Sequence, residues 1–90
     1  MMITQQAGSY KRITATGNIK PIGGTLLGLL VASTSSGTIA LYDSATTTTT
    51  APITGTLTPA AGAFIPIPVQ FINGLYAVVG GTLDVTLIYA

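Results

Sequence analysis

The chain contains no cysteine, histidine, tryptophan or glutamate, and only three basic and two acidic residues among its 90. The missing cysteine excludes a disulfide scaffold and thiol chemistry. The missing histidine removes the commonest general base and metal ligand. Charge is scarce too: 6% of residues carry it, against about 25% in an ordinary globular protein. A net charge of +1 is too small for the basic patch of a nucleic-acid-binding surface. Long apolar runs are also lacking. The longest, with glycine counted in, is Leu26 to Ala32, well short of the roughly 18–20 residues of a membrane-spanning helix. The first residues hold neither a basic-then-apolar leader nor a lipidation motif, so neither secretion nor a membrane partner is expected.

What is present is hydrophobic. Apolar residues make up 48% of the chain, which argues against disorder and for one small domain. With so few charges to keep a surface soluble, part of that surface is expected to meet protein rather than water. Turn signals recur at Thr16-Gly17-Asn18, Pro21 to Gly24, Ser35-Ser36-Gly37, Pro59 to Gly62, Asn73-Gly74 and Gly80-Gly81. The short segments between them are rich in Ile, Leu, Val, Thr and Tyr, which predicts an all-β protein, a single-domain antiparallel β-sandwich.

Alternation supports strands in four places. Ile39 and Leu41 share a face, as do Leu83, Val85, Leu87 and Tyr89; Ile65, Ile67, Val69 and Phe71; and Ile53, Gly55 and Leu57. A period of two marks a strand with one face on a core. Gly80-Gly81, between Leu75–Val79 and Thr82–Tyr89, predicts a type I′ hairpin. With Asn73-Gly74 one strand earlier, the C-terminal third reads as a three-stranded meander.

Two strands break the pattern. Pro66 and Pro68 lack N–H donors on one side and so predict a sheet edge; they serve either as protection against stray pairing or as part of a contact surface. Leu26 to Val31 is apolar on both sides, putting Leu27, Leu29 and Val31 opposite Leu26, Gly28 and Leu30. A strand apolar on both faces is buried on both, and another copy of the chain is the simplest cover. Leu26, Leu30 and Ile88, with Pro66 and Pro68, are the candidate interface residues. Residues 1–9 are expected to form an extended arm, with the sandwich over 10–90. The Ser44 to Thr50 run reads as a polar loop.

Chemistry has little to work with. Asp43 and Asp84 are the only side-chain carboxylates; nothing in the spacing brings them together as an acid–base pair or a calcium loop. Asp43, at a strand end, fits a turn-capping role, and Asp84 an outward position. Gly23-Gly24-Thr25 and Gly80-Gly81-Thr82 lack the lysine of a phosphate loop. Lys11, Arg12 and Lys20 are either solvated or directed at a partner's carboxylate. No catalytic residue, cofactor or metal ligand is expected; the reading is non-enzymatic.

Three stretches resemble small β proteins from the virion genes of tailed bacteriophages: Gly24 to Val31, Ser35 to Asp43 and Gly74 to Tyr89. The Ser36-Gly37-Thr38 to Asp43 and Gly74-Leu75-Tyr76 to Thr86 segments carry most of the resemblance, which spans residues 13–90. It implies a jelly-roll-like sandwich acting as capsid cement or decoration on the virion surface, assembled in the bacterial host cytoplasm. It further implies a homo-oligomer, commonly a trimer, that binds the major capsid protein. A neck, tail or head-fibre attachment piece is the alternative within the virion. A carbohydrate-binding module, using Tyr42 beside Asp43, is the alternative outside it.

Overall fold

The computed structural model describes residues 9–90. Among them there are five strands and no helix: β1 (Ser9–Ile13), β2 (Gly17–Lys20), β3 (Gly24–Asp43), β4 (Phe64–Phe71) and β5 (Leu75–Tyr89). All pair antiparallel in one sheet of order β1-β5-β3-β4, with β2 also on β5. Of the expected arm, residues 1–8 lie outside the described region. Ser9 opens β1, opposite Tyr89.

The sheet is a sandwich because β3 and β5 fold over. Twenty residues of β3 would extend to about 66 Å if straight. Yet the start of β3 pairs with Phe71 and its last residue with Leu75, and only Ile72 to Gly74 separate those partners. The two ends of β3 therefore lie close together. The N-terminal half of β3, the C-terminal half of β5, β1 and β4 form one layer. The other halves of β3 and β5, β2 and the irregular 51–57 segment form the second. That segment lies along β3 through bridges at Ile39–Leu57 and Tyr42–Pro52. Leu26, Leu29 and Val31 from one layer meet Ile39, Leu41 and Leu75 from the other in a single core.

Three register shifts let β3 bend. Between Leu26 and Gly28, Val31 and Ser33, and Ser35 and Thr38, β3 contributes one residue more than β5. Each extra residue sharpens the twist and reverses which parity faces inward. The buried set accordingly runs Leu26, then Leu29 and Val31, then Ile39 and Leu41. The last shift is the corner. Gly81 there has φ +67° and Ser36 opposite it has φ +55°; the Thr34 hydroxyl accepts from the Gly37 N–H at 3.0 Å.

Gly80-Gly81 thus corrects the hairpin expectation. A type I′ turn needs positive φ at both central residues, and only Gly81 has it. The chain bends and continues as one strand from Leu75 to Tyr89. The meander fails for a second reason: β4 pairs with β3, not β5, so Asn73-Gly74 carries the chain around the end of β3. The expected inward faces of β4 and β5 are present: Leu83, Val85, Leu87 and Phe71 are buried, and Ile65, Ile67 and Val69 pack on the core. β4 is an edge strand, as Pro66 and Pro68 required.

Candidate docking surface

The polar groups divide into those that close the sandwich and those that do not. Asp43, at the end of β3, turns its carboxylate to the 72–74 turn. Its Oδ2 accepts from the Ile72 N–H at 2.9 Å, and its Oδ1 from the N–H groups of Asn73 at 2.7 Å and Gly74 at 3.3 Å. The Ile72 N–H, against an opposing effect of burial and with help from Asn73 and Gly74, holds this carboxyl below the usual range. Across the same seam, Lys20 Nζ lies 5.9 Å from the ring centroids of both Phe71 and Tyr89 and donates to the Ala90 carbonyl at 3.1 Å. Both groups act as clasps between the layers.

The threonine-rich loop is built rather than loose. Ser44 is buried, and its Oγ accepts from the N–H groups of Thr46 and Thr48, both at 3.1 Å. The Asn18 amide donates to the carbonyls of Ser44 and Thr46, both at 3.0 Å. This ties the loop beside the outward row Asn18, Tyr76, Tyr42 and Pro52. Tyr76 is 8% exposed despite its outward position, and its ring meets Tyr42 at 6.2 Å. A hollow of about 270 Å³ lies against this loop, lined by Asp43, Ser44, Thr46, Thr48, Thr50 and Asn73 among others. Tyr42, half-buried against Tyr76, does not stand free beside Asp43, and the carboxylate faces backbone amides. Neither offers the open aromatic-and-acid pair a sugar site requires.

The outer face of the first layer is different. Register places Tyr10, Ile88, Gly28 and Pro66 in one outward row, and Arg12, Thr86, Leu30 and Phe64 in the next. Tyr10 is 75% exposed, Phe64 53% and Leu30 44%. Gly28 is closely covered: an added Cβ would meet the Ile65 carbonyl oxygen at 2.7 Å and carbons of the Phe64 ring at 3.0 and 3.1 Å. Arg12 and Asp84 border the face and pair with each other, Nε to Oδ1 at 2.8 Å and Nη2 to Oδ2 at 2.6 Å. Arg12 holds the Asp84 carboxyl below its usual range.

Of the candidate interface residues, Leu30, Ile88, Pro66 and Pro68 are on the surface, with Ile88 half-buried. Leu26 is corrected: it is fully buried in the core. The shift at Leu27 turns Leu26 to the same side as Leu29, so β3 here is not buried on two faces. Sequence reasoning missed Tyr10 and Phe64, because their place beside Ile88 and Leu30 depends on cross-strand register. Arg12 finds its carboxylate within its own chain. Asp43 and Asp84 are each held by separate partners, and among the described residues no three acidic ligands gather. Comparison with known proteins found no matching family model, no matching curated protein and no matching solved structure.

Proposed function

We propose that this chain is a non-enzymatic structural protein of a bacteriophage virion, a capsid cement or decoration piece that docks through the outer face of its first layer. The observation that carries the docking part is the apolar face of Tyr10, Leu30, Phe64, Pro66 and Ile88, open among the described residues and backed by the core. Apolar surface gains about 25 cal/mol per Å² when covered, and contiguous exposed patches on small proteins mark contact sites. The virion part rests on the resemblance of Gly24 to Val31, Ser35 to Asp43 and Gly74 to Tyr89 to such proteins. The use of both carboxylates in structural contacts favours a binding role over an acid–base one.

Quantitative mass spectrometry of purified particles of the encoding virus tests this. Cement predicts copies in the hundreds per particle, and six or twelve would instead support the neck or tail alternative. Absence from particles would defeat the proposal. A Leu30→Glu variant is expected to fold and yet be lost from the particle.

A further inference from the structure

We propose that Asn73-Gly74 is a self-modifying site: the Gly74 nitrogen closes on the Asn73 side chain, the asparagine becomes a carboxylate, and the Asp43 clasp restrains this step until the seam opens. Three observations carry it. Asn73 is exposed, and its contact with Asp43 runs through its backbone N–H, which leaves the side-chain amide free to turn. The next residue has no side chain to hinder attack at its nitrogen, and it cannot acquire one. A Cβ at Gly74 would meet the Lys20 carbonyl oxygen at 2.5 Å, the Ser44 carbonyl oxygen at 2.6 Å and the Ala45 Cα at 2.8 Å. Packing at the seam thus requires the dipeptide in which an asparagine is least protected. Finally, the Gly74 N–H points at Asp43 Oδ1, 3.3 Å away, beside the Ile72 and Asn73 N–H groups on the same carboxylate.

Water is the only co-reactant. The Gly74 N–H gives its proton to hydroxide, and the nitrogen attacks Asn73 Cγ. The new N–Cγ bond closes a cyclic imide, the Cγ–Nδ2 bond breaks, and Nδ2 leaves as ammonia with a proton from water. A second water opens the ring at either carbonyl, leaving residue 73 as aspartate in its normal or its iso linkage. Asp43 opposes this twice. Its negative charge beside the Gly74 nitrogen disfavours the amide anion that must attack, and three N–H groups gripped at once hold the peptide plane. The Ser44 N–H adds a hold on the Gly74 carbonyl at 3.1 Å. The reaction therefore runs through local opening of the turn. Once it has run, the new carboxylate stands at the hollow that Asp43 also lines, and two like charges there resist reclosure. The seam is a one-way latch.

Peptide mass spectrometry of the full chain, aged in mildly alkaline buffer, is the test, with Asn18 as the reference inside the same molecule. Asn18 precedes a β-branched residue, Ile19, and its amide is engaged by the Ser44 and Thr46 carbonyls. Asn73 is expected to convert to a mixture of normal and iso-linked aspartate while Asn18 stays intact. Asp43→Ala is expected to raise the Asn73 rate about fivefold or more, through the loss of hydrogen bonds to a charged acceptor. Ile39→Val, a change of comparable cost in the core away from the turn, is expected to leave that rate near the parent's. Circular dichroism checks folding; where Asp43→Ala fails to fold, the milder Asp43→Asn decides, with the same direction expected. The product variant, Asn73→Asp, is expected to melt below the parent at neutral pH. Conversion at Asn73 no faster than at Asn18, normal linkage alone, an unchanged or slower rate without the Asp43 carboxylate, equal acceleration by Ile39→Val, or Asn73→Asp melting with the parent would each overturn the proposal.

Discussion

Single residues decide two features of this protein: where the ribbon bends and how the sandwich is shut. At the corner, Gly81 combines positive φ with a backbone approach that leaves no room for a Cβ, which would run into the Ser36 carbonyl. Gly81→Val is expected to cost about 2–4 kcal/mol, since it adds a β-branched group where both conformation and space forbid it. Thermal or urea unfolding checks this; an unchanged midpoint would contradict the corner geometry. Asp43 at the seam and Asp84 at the border of the outer face both have carboxyls held below their ordinary range. A carboxyl depressed by folding stabilises the fold above its unfolded pKa of about 3.9, and that gain is lost as pH falls through the folded value. The melting temperature is therefore expected to drop as acid is added below about pH 4. Asp43→Asn is expected to flatten that dependence and lower stability at neutral pH. The Asp84 share, exposed and paired with Arg12, is the part that high salt weakens.

At the level of strands, the sequence predicted faces well and connections poorly. Leu83, Val85 and Leu87 turn inward because alternation is local and a one-sided strand has only one stable orientation. The same logic failed for Leu26 to Val31. An extra residue at Leu27 is invisible until the partner strand fixes what lies opposite. Gly80-Gly81 misled for a similar reason, because a glycine pair permits a hairpin and a corner alike, and the pairing of Thr38 with Gly80 and Ser35 with Thr82 selects the corner. The docking face was half legible: Leu30, Ile88, Pro66 and Pro68 could be singled out, whereas Tyr10 and Phe64 needed the register. The Asp43 clasp spans about thirty residues and leaves no local signal. β4 gives the prediction at this scale. Pro66 and Pro68 blunt an edge that would otherwise accept another strand. A Pro66→Thr, Pro68→Thr double variant is expected to keep the fold and raise light scattering on standing; scattering equal to the parent would show that the prolines serve another purpose.

For the molecule as a whole, the low charge and the folded ribbon have one consequence in common. Residues 9–90 build one core between two layers and close it with Asp43 and Lys20. The 44–50 loop is tied beside one outer row, and among the described residues the outer face of the other layer is apolar and open. The proposed docking would cover this face with a partner. Because the chain has no cysteine, a single introduced thiol reports on that face directly. Thr86→Cys places it between Arg12 and Leu30, and Thr49→Cys places a reference thiol on the exposed loop. The decisive measurement is maleimide labelling of both variants in free solution and in intact particles. The account predicts that Thr86→Cys becomes several-fold slower to react in the assembled form and that Thr49→Cys slows less. Equal, undiminished reactivity of Thr86→Cys in both conditions would contradict it.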